Sequence, residues 1–253
     1  MSGSGYDMDA TIFSPEGRIF QVEYASKAVA EASTCVGVNC KDGVILAAEK
    51  TLSSGFVMEG SNKHIHTVSK FIGAVAGGYT PDGRYAVDRA REHTVQFKDN
   101  FGEEMPPRVL AERMGQFVHQ FTCFGGARPL GINILFGGYD HREKKYDLYR
   151  ITPSGQCFRH FAEAMGKGRQ SCKAEIEKHN LVDMTVEEAL PFVTKMLCDL
   201  HTESKKPYEI ELGVVSDATE HRFVRVEEEK KKQLVANALH AIEVAANGEM
   251  DVE

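Results

Sequence analysis

Tyr6-Asp7-Met8-Asp9-Ala10-Thr11-Ile12-Phe13-Ser14-Pro15-Glu16-Gly17-Arg18-Ile19-Phe20-Gln21-Val22-Glu23-Tyr24-Ala25-Ser26-Lys27-Ala28 is a dense run of turn, aromatic and charged residues near the start of a 253-residue chain. Ser14-Pro15-Glu16-Gly17 reads as a turn, because proline presets φ at the second position and glycine suits the fourth. The spacing that follows predicts a helix from about Ile19 to Glu31, with Val22, Ala25 and Val29 on one side. Directly behind this helix stands a threonine-bearing segment, Thr34 to Asn39, with the pattern of a strand.

Working outward, Lys41-Asp42-Gly43 predicts a hairpin turn and Val44 to Ala48 its return strand. Phe71 to Ala76 is a further short apolar run. Two helices follow, about Arg84 to Asn100 and another after Pro106-Pro107. The second carries Leu110, Met114, Phe117, Val118 and Phe121 as an apolar stripe, which is core spacing rather than a ligand box. Strands are expected at Gly131 to Gly138, Tyr146 to Ile151 and Gln156 to Ala164, with Pro153-Ser154-Gly155 turning between the last two. One helix begins near Arg169. Another follows Thr185, where Thr185 and Glu188 fit a capping box. Its stripe is Val186, Ala189, Leu190, Val193, Leu197 and Leu200. Glu209 to Val215 and Arg222 to Val226 read as strands. A last helix starts at Glu227, with Leu234, Val235, Ala238, Leu239 and Ile242 on one face. Its Glu227-Glu228-Glu229 opening suits a helix N-terminus and pairs with Lys230-Lys231-Lys232 one turn on. Strand groups separated by helix pairs do not make alternating βαβ units. They fit an α+β fold of two antiparallel sheets packed face to face, with helices on the outer faces.

Composition narrows the function. Hydrophobic residues make up 42% and charged residues 26%, with 30 basic and 37 acidic side chains for a net charge of −7. A phosphate-binding face needs a basic excess, so nucleic acid is not the expected partner. No stretch approaches the roughly 18 apolar residues of a membrane helix, and the N-terminus has no secretory pattern. Cys35, Cys40, Cys123, Cys157, Cys172 and Cys198 form no CxxC pair. They read as reduced, mostly buried thiols of a cytosolic or nuclear protein. His64 and His66 are alternating strand or loop residues rather than metal ligands, since no third ligand stands at helical spacing. Gly166-Lys167-Gly168 lacks the spacing of a phosphate loop and reads as a strand-to-helix turn.

The region from Ser33 to Lys63 has a chemical layout. A threonine opening a strand, a hairpin, a carboxylate at Glu49 and a lysine at Lys63 resemble the parts of N-terminal-nucleophile hydrolases. There a hydroxyl attacks an amide carbonyl, the free α-amino group of the same residue is the base, and a lysine lowers a pKa. Thr34 is internal, so its nitrogen is a peptide nitrogen and not a base. The alternative function, a self-processing threonine hydrolase, would require a mature chain beginning at Ser33 or Thr34. Active relatives cleave after a glycine, and here Ala32-Ser33 precedes Thr34. A third, weaker alternative is a free-standing adaptor.

The opening run resembles the signature of proteasome alpha-type subunits: a tyrosine, a Phe-Ser-Pro-x-Gly-Arg turn, then Gln-Val-Glu-Tyr-Ala-x-x-Ala. Every position from Tyr6 to Ala28 fits. Arg128-Pro129-x-Gly131 and Pro153-Ser154-Gly155 agree with the same family. Gly166-Lys167-Gly168-Arg169-Gln170, Lys173-x-Glu175-Ile176-Glu177-Lys178, Gly5-Tyr6-Asp7 and Pro81-Asp82-Gly83-Arg84 resemble its type-3 branch, which occupies the seventh ring position. The C-terminus departs, since type-3 chains often end in a longer acidic tail and here only Gly248 to Glu253 remains.

The resemblance implies one domain over residues 1–253, a four-layer αββα sandwich of the N-terminal-nucleophile type. Residues 1–30 would be gate segment and first helix, and 227–253 the last helix and a short acidic tail. It implies a non-catalytic subunit of a seven-membered alpha ring, stacked on beta subunits that cut peptides, in the cytoplasm and nucleus. Such a subunit scaffolds the ring, gates the axial pore and docks a regulatory particle or other activators, for ubiquitin-dependent and ubiquitin-independent degradation. It implies no cofactor and no metal. Tyr6, Asp7, Pro15 and Tyr24 match the residues that stabilise an open gate between neighbours. Lys63 matches the lysine that pairs with an activator's C-terminal carboxylate. Gly17 and Gly78 match pocket glycines, and Glu23 belongs to the same pocket.

Overall fold

A computed structural model describes residues 5–52, 54, 56–202 and 206–250, the last five of these by backbone alone. The leader ahead of Gly5 and residues 251–253 of the acidic tail lie outside the described residues. In chain order the elements are α1 (Phe20–Ala30), β1 (Cys35–Cys40), β2 (Gly43–Thr51), β3 (Ile65–Thr67), β4 (Ile72–Gly78), α2 (Thr80–Phe101) and α3 (Pro107–Gln120). Then come β5 (Ile132–Asp140), β6 (Lys145–Ile151), β7 (Cys157–His160), β8 (Ala162–Met165) and α4 (Arg169–His179). The chain ends in α5 (Val186–Asp199), β9 (Tyr208–Ser216), β10 (Phe223–Arg225) and α6 (Glu228–Met250).

The strands form two five-stranded sheets, β10-β9-β2-β1-β8 and β3-β4-β5-β6-β7. Every pairing is antiparallel. Three apolar clusters bind four layers. Val36, Val38, Ile45 and Ala47 pack the first sheet against α4, α5 and α6 through Ile176, Leu190, Val193, Leu197 and Ala238. Ala74, Ile134 and Phe136 pack the second against α2 and α3 through Val87, Ala90, Leu110, Met114 and Val118. Leu46, Ala48, Val75, Leu135 and Leu148 fill the space between the sheets. Side chains of this size are worth ~1.5–3 kcal/mol each when fully buried. The αββα sandwich is therefore dictated by strands with two apolar faces, each needing its own cover.

One ring locks the two sheets at an edge. Phe223 of β10 lies where Gly73 and Gly213 have no side chain, and a Cβ on Gly73 would sit 2.1 Å from its ring. The helix caps are local. Thr185 and Glu188 form the expected capping box, with Thr185 N–H donating to Glu188 Oε2 at 2.9 Å and Glu188 N–H to Thr185 Oγ1 at 3.3 Å. Glu228 pairs with Lys231 at 2.6 Å in the first turns of α6.

Three sequence expectations need correction. The single strand expected over Gln156 to Ala164 is two: β7 pairs with β6 in one sheet and β8 with β1 in the other. Phe161 is the crossing residue, and its carbonyl accepts the Asn39 N–H at 2.7 Å. α2 starts at Thr80 rather than Arg84, because Pro81 costs nothing in a first turn, where its missing N–H has no partner to lose. The strand-or-loop reading at His64 and His66 resolves into β3, three residues that include His66. Leu239 lies off the buried face of α6 and is exposed, whereas Ala238 is buried.

Two of the sequence motifs turn out to be one contact. Asp82, buried in the first turn of α2, takes Arg128 Nη1 and Nη2 at 2.6 and 2.8 Å and the Gly131 N–H at 2.9 Å. Burial alone would raise its carboxyl, but the Arg128 and Gly131 hydrogen bonds outweigh this and hold it below the usual carboxylate value. A depressed folded pKa contributes stability above the unfolded pKa and loses it as pH falls through the folded one. Asp82→Asn should cost about 1–3 kcal/mol near pH 7. In denaturant unfolding, the gap to the parent chain should narrow below about pH 4.

Candidate functional site

The N-terminal segment is built from short-range bonds. Asp9 Oδ1 accepts both the Thr11 N–H and the Thr11 hydroxyl at 2.8 Å. Thr11's backbone N–H, followed by its hydroxyl, pulls the exposed Asp9 carboxyl below its ordinary value. The predicted turn at Ser14 closes with Gly17 N–H to Ser14 O at 2.9 Å and Ser14 N–H to Arg18 O at 2.8 Å. Gly17 holds φ +75°, a left-handed conformation that favours glycine. Gln21 Nε2 donates to the Asp7 carbonyl and ties the segment to α1. Arg18 forks onto Glu23, with Nε to Oε1 at 2.7 Å, and its guanidinium lies over the Phe20 ring at 5.1 Å.

Within the single chain the four expected gate residues do not form a packed cluster. Tyr6 is 37% exposed and Tyr24 50% exposed. Pro15 is exposed, and Asp7 is half-buried. Tyr24 stacks on Phe20 at 6.4 Å. Among the described residues no hydrogen bond reaches either phenol. Along α1 the only buried residue is Val29. Helices this short are marginal in water without packing partners, so α1 is an element with an uncovered face.

The four expected pocket residues are spread as well. Lys63 lines a cavity of about 340 Å³ with Glu59, Glu209, Glu211, Arg225 and Lys231. Glu211 there accepts the His64 and Ile65 N–H groups at 3.1 and 3.0 Å. Gly17, Glu23 and Gly78 are not in its lining. Gly78 ends β4 at φ +123°, where a Cβ would stand 2.2 Å from the Gly131 carbonyl. His64 Nδ1 lies 3.0 Å from the Ala76 carbonyl, a structural role for one half of the HxH pair. Burial pushes the other half, His66, down to about 4, so it is neutral at pH 7.

Behind α1 sits the threonine. Thr34 is 1% exposed. Its peptide N–H donates to Glu49 Oε1 at 2.8 Å, and its hydroxyl accepts the Gly168 N–H at 3.0 Å. His201 Nε2 donates to the other Glu49 oxygen at 2.9 Å and stacks flat on Tyr208 at 4.1 Å. The Gly166-Lys167-Gly168 turn closes the site, with Lys167 N–H on the Ala32 carbonyl at 2.9 Å. A nucleophile needs a proton acceptor at its oxygen and a path for substrate. Thr34 has neither: its nitrogen is a donor inside a peptide bond, and α4 caps its hydroxyl. Lys63 does not bond it, and the neighbouring Lys50 serves Glu209 at 2.7 Å instead. His201 and Gly168 were missed from the sequence, because each lies more than 130 positions from its partner and no local pattern marks it.

Two family models match the chain: the proteasome subunit family over residues 29–215, and the N-terminal signature of alpha-type proteasome subunits over residues 6–28. Among curated relatives, "Proteasome subunit alpha type-3" of Spinacia oleracea is 38% identical over 252 residues, 99% of this chain and 98% of the relative. The protein of that name in Oryza sativa is 39% identical over the same shares. "Probable proteasome subunit alpha type-7" of Saccharomyces cerevisiae is 37% identical over 98% of this chain and 86% of its own length.

Thr34→Val should leave peptide hydrolysis by the protein's native complex unchanged and cost about 1–3 kcal/mol of stability, because the Gly168 N–H loses its acceptor. Thermal unfolding of the isolated chain and peptidase assays of the complex read the two effects separately.

Proposed function

The chain belongs to the alpha type of the proteasome subunit family, and from that membership we propose that it occupies one place in a seven-membered alpha ring. Alpha-type subunits are the non-catalytic ring subunits of the proteasome, and peptide cleavage resides on beta subunits. The chain assembles with other proteasome subunits. The likeness to type-3 relatives supports the seventh position.

The observation that carries the ring reading is the uncovered N-terminal face. Tyr6 and Tyr24 present phenols with no hydrogen-bond partner among the described residues, and α1 buries Val29 alone. Residues from an adjacent subunit supply the missing contacts. Tyr6, Asp7, Pro15 and Tyr24 then form a hydrogen-bonded cluster across the seam that holds the pore-side leader in its open course. Docking of a regulatory particle or other activator uses Lys63, Gly17, Gly78 and Glu23. These come from separate parts of the chain, so the pocket is completed between neighbours. Lys63 supplies the cation for a terminal carboxylate. No helix of the described residues is long and apolar enough to cross a membrane. The acidic balance disfavours nucleic acid, and the subunit works in the cytoplasm and nucleus.

Native mass spectrometry of material purified through this chain should give a particle many times its 28.0 kDa. Six other alpha subunits and beta subunits should be present. A free chain or a small adaptor complex would contradict the reading. Hydrogen bonds to charged groups are worth about 1.5–3 kcal/mol. Lys63→Ala should therefore raise the activator concentration for half-maximal stimulation of peptide hydrolysis about two- to tenfold. The effect is diluted by the ring's other pockets, and an unchanged activator titration would argue against use of this pocket.

A further inference from the structure

Of the six free thiols, Cys35, Cys40, Cys172 and Cys198 are buried, Cys157 is half-buried and Cys123 is exposed. The expectation of mostly buried thiols thus holds for four of the six. Burial pushes Cys40 and Cys172 up to about 12 and Cys157 to about 11, and it raises Cys35 and Cys198 as well. Those five thiols are inert at neutral pH.

Cys123 stands just past the C-terminal end of α3, in different company. Its Sγ lies 3.3 Å from His119 Nε2 and 3.4 Å from the His119 carbonyl. The other ring nitrogen, Nδ1, is 3.1 Å from Thr122 Oγ1 and 3.3 Å from the Ser154 carbonyl. Thr122 gives its own proton to the His119 carbonyl at 2.8 Å, so its oxygen faces Nδ1 as an acceptor. The Ser154 carbonyl can only accept. Both neighbours therefore require a proton on Nδ1, which leaves the Nε2 lone pair facing the thiol. A nucleophile, a base in reach and groups that orient the base complete the arrangement. The carbonyl end of α3 favours the imidazolium that results from proton transfer.

We propose that Cys123 is a nucleophilic thiol activated by His119 and a site of reversible mixed-disulfide formation with low-molecular-weight disulfides. The Cys123 proton passes to His119 Nε2. The thiolate attacks one sulfur of the small disulfide, a new S–S bond forms as the old one breaks, and the leaving thiolate takes the proton back from the imidazolium. Cys123 is oxidised and the small disulfide is reduced to one thiol. Two residues on, a side chain at Gly125 would begin 3.2 Å from the Asp9 carboxylate of the N-terminal segment.

Glutathione disulfide is the probe, added to the purified native complex at pH 7, with adducts quantified over time on each cysteine peptide by mass spectrometry. Cys123 should be modified first. His119→Gln, which removes the base, should slow Cys123 modification about threefold. Thr122→Val, which removes one acceptor at Nδ1, should slow it by less. Equal Cys123 rates in parent and His119→Gln would show a merely exposed thiol and overturn the proposal. So would the absence of a Cys123 adduct in the assembled complex.

Discussion

The hydrogen bond from the Thr34 peptide N–H to the Glu49 carboxylate holds the junction between the N-terminal segment and the sandwich. Because Thr34 is joined to Ser33, the donor is a peptide N–H with no lone pair to act as a base. With the next ladder bond, Glu49 N–H to the Thr34 carbonyl at 2.9 Å, it opens the β1–β2 pairing, which runs on from Cys35 opposite Ala48. A one-residue slip there would turn Val36 and Val38 away from α5 and Cys35 away from the inter-sheet core. The same residue receives α4 through Gly168 and, by way of Glu49, the end of α5 through His201. Sheet register and helix placement thus meet at one threonine whose polar atoms are occupied.

Two kinds of surface follow. The sandwich satisfies itself: two of its apolar clusters are closed by its own helices and the third lies between its sheets. The N-terminal segment does not. Its turns are bonded locally, but α1 leaves most of its surface open, and among the described residues the phenols of Tyr6 and Tyr24 have no hydrogen-bond partner. A chain that seals its threonine and presents this segment is suited to contact rather than cleavage.

Much of the fold was legible where the cause is local. The Ser14–Gly17 turn, the α3 stripe from Leu110 to Val118 and the Thr185–Glu188 box each depend on residues within a few positions of one another. The split between β7 and β8 was not legible, because the step at Phe161 answers to two partner strands far away in sequence. Asp82 and Arg128 were each visible inside a motif, but the bond joining them across 46 positions was not. The candidate site divides the same way. Its residue types could be named from the opening run, whereas the spread of Gly17, Glu23, Lys63 and Gly78 is a matter of tertiary placement. His119 and Cys123 sit one helical turn apart, yet only the structure shows the ring turned toward the thiol.

The silence of Thr34 turns on the covalent link ahead of it. Tryptic peptide mapping of the subunit isolated from its native complex tests it directly. The peptide from Ala28 to Lys41, carrying the Ser33–Thr34 bond intact, is the expected species. A peptide beginning at Ser33 or Thr34 with a free amine would mean that the chain processes itself, and would contradict a silent Thr34.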